Sequence, residues 1–340
     1  MNNFFLYHDK FELESGQFLD GLKISYTVKG NPFAEKNIWA CHALTGDSNV
    51  MEWWGGLFGL NQLFSPVDYR IICANVIGSC YGSTGPQELE EPTSFPDLTT
   101  RDLVKAHQLL ADYLNIQEVE ILIGASLGGQ QALEWAIDKP LFAKNLVLVA
   151  TNAVHSPYGI AFNEAQRIAL RSDLTFGLKS GGQEGLKAAR AIAMLSYRSY
   201  KDFKLKQSDV DRKAFGHRAA SYVAYQGEKF ENRFNPNSYY TLTKVMDSHD
   251  VSRGRSSLED VLRTVRSKTL VIGVDSDLLF PISEQEFLHS HIPKSEFGVI
   301  KSDYGHDAFL IEYEQLQKLV KDFLFNDFKR FKPTLLKQKK

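Results

Sequence analysis

A serine framed by glycines sits where an apolar run gives way to a helical one, in VEILIGASLGGQQALEWAIDKP from Val119 to Pro140. Within it, Gly124-Ala125-Ser126-Leu127-Gly128 fits G-x-S-x-G, and the strand–turn–helix context gives that pattern its meaning. Glycines on both sides let the chain turn sharply without Cβ clashes, which lifts Ser126 Oγ above the end of the sheet. Leu127 then opens a helix, and its N–H is a donor for an oxyanion formed beside the serine. A blander reading is a connecting βα turn or a phosphate cradle without a nucleophile. No G-K-[ST] follows the motif and no G-x-G-x-x-G is present, so the nucleotide-loop version of that reading fails.

A serine hydroxyl is a poor nucleophile near neutral pH and needs a base, with a third group to fix that base. With the serine first, the acid should follow a late strand and the histidine a loop beyond the last one. TLVIGVDSDLLFP ends a strand at Val274 and offers Asp275 and Asp277, while FGVIKSDYGHDAF ends another and offers His306. Asp277 is preferred, although spacing alone leaves Asp275 open. His289 and His291 lie in SEQEFLHSH, which reads as a helix between two strands. His155, His217 and His249 fall in a region with no strand end to bring them to Ser126. A second oxyanion donor should come from the loop after an early strand; NIWACHALTGDSN supplies one, with the Leu44 N–H as candidate and a merely connecting turn as the alternative.

The elements that must position these groups are legible as short β-branched runs with helical stretches between them. LKISYTV from Leu22, NIWAC from Asn37, YRIICANV from Tyr69, VEILIG from Val119, NLVLVAT from Asn145, TLVIGV from Thr269 and FGVIK from Phe297 predict a mostly parallel sheet with helices on both faces. Between Asn145 and Thr269 no comparable strand occurs. NEAQRIALRS, EGLKAARAIAMLSYRSY and SYYTLTKVMD read as helices there, so residues 152–257 are predicted to form a helical cap inserted into a core of residues 1–151 and 258–340. Tyr313 to Phe328 reads as a closing amphipathic helix.

Composition bounds the possibilities. With 39 basic and 41 acidic side chains the net charge is −2, which gives no overall field for nucleic acid or an anionic membrane. The basic run Lys329, Arg330, Lys332, Lys337, Lys339 and Lys340 reads as a solvated tail. The N-terminus lacks a basic segment followed by an apolar one, and no apolar run approaches the length of a membrane helix. Three cysteines, Cys41, Cys73 and Cys80, without CxxC spacing predict neither a disulfide framework nor a zinc site, which fits a reducing cytoplasm.

Beyond these groups, the chain resembles the homoserine O-acetyltransferase family nearly end to end. The segments are CHALTGDSN, WWGGLFG, ICANVIGSCYGSTGP, FPDLTTRDLVKA, GASLGGQQALEWA, AFNEAQR, GLKAARAIAMLSYRS, YQGEKF, RFNPNSYYTLTKVMD, DSDLLFP and SDYGHDAFL. The resemblance implies an α/β-hydrolase fold and transfer of acetyl from acetyl-CoA, as co-substrate, to the hydroxyl of L-homoserine through an acetylated serine, a step of methionine biosynthesis. Ser126, Asp277 and His306 fall on the triad positions, and Arg190 of GLKAAR and Asp307 fall on the family's substrate-binding pair. A zwitterionic acceptor requires such a pair, a guanidinium for its carboxylate and a carboxylate for its ammonium. The resemblance further implies a homodimer docked through the helical insertion, with no metal or redox cofactor. The chain departs from the usual family pattern in the short stretch IALRSDLTFGLKSGGQEGLKAAR, and in Ala125 and Leu127 where glycine and methionine are more frequent. A succinyl donor, a serine acceptor and simple ester hydrolysis remain alternatives on this scaffold. A non-catalytic binding protein is disfavoured by three triad residue types in the required order.

Overall fold

The apolar runs do form strands. In a computed structural model that describes residues 3–325, they are β1 (Asn3–Glu12), β2 (Phe18–Gly30), β3 (Asn37–Cys41), β4 (Arg70–Ala74), β5 (Val119–Ala125), β6 (Ala143–Val149), β7 (Lys268–Val274) and β8 (Ser295–Ile300). One sheet holds them in the order β1-β2-β4-β3-β5-β6-β7-β8. From β4 to β8 every pairing is parallel, whereas β2 runs antiparallel to β4 and β1 antiparallel to β2. The sequence reading had no counterpart for β1. Only Phe5 and Phe11 of that edge strand turn inward to burial, so its apolar pattern is weak and it gains order by pairing with β2.

Alternation along the central strands builds two cores. Trp39, Leu122 and Leu146 pack on one side with Leu103 and Trp135, from α2 (Thr100–Tyr113) and α3 (Leu127–Asp138). Ile38, Ile121, Ile123 and Val147 face the other side, where α11 (Tyr313–Phe325) supplies Leu316, Val320 and Phe323. Successive side chains of a strand point to opposite faces, so strands covered on both sides read as continuous apolar runs. A short helix, α1 (Val50–Trp53), leads into Trp54, which joins the second core. The closing helix is described to Phe325; the expected last turn and the basic tail lie outside the described residues.

Between β6 and β7 run α4 (Pro157–Arg171), α5 (Gln183–Tyr197), α6 (Tyr200–Gln207), α7 (Arg218–Glu231) and α8 (Pro236–Asp247). The two ends of this excursion are tied together. His155 N–H donates to His249 O at 2.8 Å and Val251 N–H to Ala153 O at 3.1 Å. One expectation needs correction: the helix read over EGLKAARAIAMLSYRSY ends at Tyr197, and the last residue of that run, Tyr200, opens α6. Arg198 is extended (φ −113°, ψ 143°), and Ser199 Oγ accepts the Asp202 N–H at 3.1 Å to cap α6. A serine able to cap a new helix competes with continuation of the old one. After α9 (Leu258–Leu262) and β7, SEQEFLHSH lies in α10 (Ile282–His291), as the sequence predicts.

Candidate active site

The glycines around Ser126 serve close approach. Ser126 has φ +56° and ψ −126°, a left-handed backbone that costs a non-glycine residue roughly 1–3 kcal/mol and persists only where neighbours impose it. They do: Ser126 N–H donates to Val149 O at 3.0 Å, and Thr151 Oγ1 donates to Ser126 O at 2.9 Å. A Cβ on Gly124 would sit 2.1 Å from Gly128 O, and one on Gly128 would sit 2.1 Å from Cys41 O. The first turn of α3 therefore rests directly on the backbone where β3 ends and its loop begins, at Cys41 and His42.

That contact brings the two predicted oxyanion donors onto touching loops. Neither the Leu44 nor the Leu127 N–H is engaged in a hydrogen bond among the described residues. His42 fixes the loop carrying Leu44: its Nε2 accepts the Val76 N–H at 3.0 Å and its Nδ1 lies 2.8 Å from Ala43 O. An accepting Nε2 requires the proton on Nδ1, and burial, which lowers the pKa of the ring, keeps it neutral.

The structure brings Ser126, His306 and Asp277 together. His306 Nε2 is 2.9 Å from Ser126 Oγ, and His306 Nδ1 is 2.6 Å from Asp277 Oδ2. All three residues are buried, at 4%, 4% and 5% exposure respectively. Asp277 Oδ1 accepts the N–H groups of Leu279 at 2.8 Å and Phe280 at 2.9 Å, which aims Oδ2 at the imidazole. Asp275 faces elsewhere: its Oδ1 accepts the Ser302 N–H at 3.0 Å and its Oδ2 pairs with Lys301 at 3.5 Å. Phe280 stacks on the His306 ring at 5.0 Å, and Phe309 meets it edge-on at 5.4 Å. Burial alone would lower the His306 pKa. The Asp277 charge and hydrogen bond, reinforced by Asp307, outweigh it and raise the imidazole above its ordinary value.

Of the substrate pair, Arg190 lies on α5 with its guanidinium over the rings of Phe230 (4.8 Å) and Tyr197 (5.3 Å). Among the described residues it makes no hydrogen bond or ion pair. Asp307 adjoins His306. Burial raises its pKa against the opposing charges of Arg198, Arg190 and His306. Sequence reasoning missed Arg198, whose Nε lies 3.0 Å from Asp307 Oδ2. His155, which no strand end brings to Ser126, packs on Phe280 at 5.7 Å, so that one aromatic ring separates it from His306. His289 is a packing residue, stacked on Phe297 at 5.7 Å.

A serine on a strained strand-to-helix turn, with an imidazole and a carboxylate from the following strand ends, defines this molecule as an α/β hydrolase by architecture. Residues 38–313 match the family described as alpha/beta hydrolase fold. The homoserine O-acetyltransferase of Cyclobacterium marinum is 45% identical to the chain over 330 residues, 94% of each. The crystal structure of homoserine O-acetyltransferase from Staphylococcus aureus is similar with a TM-score of 0.80 at 30% identity, covering 98% of this chain and 97% of that one. The chain belongs to the homoserine O-acetyltransferase family. An acetylester hydrolase from Corynebacterium glutamicum shares the fold, with a TM-score of 0.83 at 22% identity over 95% of each chain.

Proposed function

We propose that this protein transfers an acetyl group from acetyl-CoA to the hydroxyl of L-homoserine through an acetyl-serine on Ser126. The observation that carries the chemistry is the relay of Ser126 Oγ to His306 Nε2 at 2.9 Å and His306 Nδ1 to Asp277 at 2.6 Å. Kinship to the Cyclobacterium marinum enzyme supports the choice of substrates.

In the first half-reaction His306 Nε2 takes the Ser126 proton as Oγ attacks the thioester carbonyl. The N–H groups of Leu44 and Leu127 receive the oxyanion, and Asp277 stabilises the imidazolium. When the tetrahedral adduct collapses, the C–S bond breaks, His306 returns its proton to the sulfur, and CoA leaves as the thiol. In the second half-reaction His306 takes the homoserine hydroxyl proton and the alkoxide oxygen attacks the acetyl carbon. The Ser126 Oγ–C bond then breaks, and the same proton returns to Oγ. Arg190 receives the acceptor carboxylate and Asp307 its ammonium. An unpaired guanidinium held by two aromatic faces suits a planar carboxylate.

Residues 152–257 act in this reading as a cap over the core, supplying Arg190 from α5. A homodimer docked through the cap fits the exposed apolar side chains Leu174, Leu178, Leu195, Leu205, Val210 and Phe215 that it carries. We place the enzyme among the biosynthetic enzymes of the cytoplasm, working without a metal or redox cofactor. Among the described residues no helix is long and apolar enough to cross a membrane.

The fold shared with an acetylester hydrolase favours a second reading, in which water discharges the acyl-enzyme. Offering acetyl-CoA and succinyl-CoA against homoserine and serine, with products identified by mass, tests the choice. The expected result is O-acetylhomoserine as the dominant product, with acetyl-CoA consumed slowly when homoserine is absent. Consumption at the same rate with and without homoserine establishes the hydrolase instead.

A further inference from the structure

Where α5 gives way to α6, the chain presses on the loop that carries His306 and Asp307. Gly305 has φ +67°, and a Cβ there would lie 2.8 Å from Tyr197 O, 2.9 Å from Ser199 N and 3.1 Å from Arg198 C. Ser199 Oγ donates to Asp303 O, and Lys201 Nζ pairs with Asp303 Oδ2 at 2.8 Å. The helix break thus staples the cap to the core and turns Arg198 toward Asp307. Arg198 Nε is 3.0 Å from Asp307 Oδ2 and its NH1 is 3.7 Å from Asp202 Oδ2, while Lys206 holds the other Asp202 oxygen at 2.8 Å. The plane of the Arg198 guanidinium is backed by the Tyr304 ring at 5.8 Å. Among the described residues nothing hydrogen-bonds to Asp307 Oδ1.

We propose that Arg198 is a positioning residue for the acceptor: it fixes the Asp307 carboxylate through Oδ2 so that the free Oδ1 receives the ammonium of the amino-acid substrate. This rests on the acceptor reading given above and extends it to a residue that touches neither substrate nor the reacting atoms. A carboxylate buried beside an imidazole swings or protonates unless a cation holds it. One arginine shared between two carboxylates supplies that hold without cancelling the Asp307 charge, because Asp202 offsets part of the guanidinium field from behind. The groups facing Asp307 are Arg190 and Arg198 from α5 and the segment after it, His306 beside it, and Asp277 from the loop after β7. Of the cations, Arg198 does most to oppose the upward push of burial on Asp307.

The test separates the two half-reactions in Arg198→Gln and Arg198→Lys. The CoA burst from acetyl-CoA alone counts folded, competent sites. We expect both variants to retain its amplitude. The loss falls on the acceptor step: kcat/KM for homoserine should drop roughly 10- to 100-fold in Arg198→Gln, the range for removing one partner of a close, largely buried ion pair, with partial recovery in Arg198→Lys. The acid limb of kcat/KM for homoserine should move to higher pH in Arg198→Gln, while that for acetyl-CoA stays put. With 4-hydroxybutanoate, which is homoserine without its amino group, Arg198→Gln should lose no more than about twofold, since the coupling is to the ammonium.

Equal losses with both acceptors, or unchanged homoserine kinetics, overturn the proposal. If Arg198→Gln does not fold, Arg198→Lys against the two acceptors decides it by the same criterion, with a smaller loss confined to homoserine. A wild-type enzyme that gives a burst but is not discharged by homoserine defeats the acceptor reading itself, a result visible before any variant is made.

Discussion

Read as a core with an inserted cap, as proposed above, the two parts contribute to this site in different ways. On the sheet, Ser126, His306 and Asp277 are in contact at 2.9 and 2.6 Å, and each is fixed by backbone hydrogen bonds or packed aromatic rings. In the same reading the inserted residues supply charges: Arg190 rests on Phe230 and Tyr197 with no ion pair or hydrogen bond among the described residues, and Arg198 reaches across to Asp307 and the Tyr304 ring. In the proposed reading the acyl-transfer machinery is preorganised by the sheet, whereas selection of the acceptor depends on how the inserted helices are seated. On that account, chemistry that must serve both half-reactions is built on rigid elements, and recognition needed only in the second is brought by the insertion.

The sharpest way to break this division is at the acid. Asp277→Asn should lower kcat by roughly 10³- to 10⁴-fold in both half-reactions, because an amide cannot hold the imidazole in its working tautomer or stabilise its charged form. Asp275→Asn, which releases only the Ser302 N–H and Lys301, should stay within about fivefold, as a surface ion pair contributes about 1 kcal/mol or less. Stopped-flow CoA release from both variants checks this. Arg190→Lys should act on the other side of the comparison, raising KM for homoserine roughly tenfold or more while the burst survives, since a lysine keeps charge but loses the planar fork. Unchanged homoserine kinetics in that variant removes Arg190 from the acceptor site.

Two smaller effects sharpen the picture of the core. Gly128→Ala should destabilise the protein by about 1–3 kcal/mol through the clash with the Cys41 carbonyl, read as a fall of several degrees in Tm. The pH profile should carry the imprint of His306. The base must be neutral, and Asp277 raises its pKa, so kcat/KM for acetyl-CoA should fall as pH drops through a value above about 6.5. Asp277→Asn removes the largest of the influences that raise it, and the residual acid limb should move to lower pH.

How much of this was legible follows from where the determining contacts lie. Ser126, Asp277 and His306 are found in sequence because each sits at the end of a strand with an apolar signature, and the order of strand ends predicts convergence. Asp275 and Asp277 share one strand end, and spacing leaves them equivalent. The turn separates them, since Asp277 Oδ1 accepts two backbone N–H groups from Leu279 and Phe280. Arg198 was invisible because its role depends on Gly305 meeting the α5–α6 junction, a contact between segments more than a hundred residues apart. The helix break that exposes it was hidden by a helical run whose periodicity continues through Ser199. That His155 packs one ring from His306 was invisible for a related reason: Phe280, which stands between them, belongs to a turn that no periodicity describes.

The central claim is that Ser126 carries the acyl group between two separate half-reactions, and mixing the enzyme with acetyl-CoA alone tests it most directly. The account predicts release of about one equivalent of CoA per site in a burst, an acetyl mass on the peptide containing Ser126, and discharge of that label by homoserine. Initial rates should give parallel double-reciprocal lines, and Ser126→Ala should lose both burst and label. Intersecting lines with no detectable acetyl-enzyme would contradict it and leave Ser126 a positioning residue in a direct transfer.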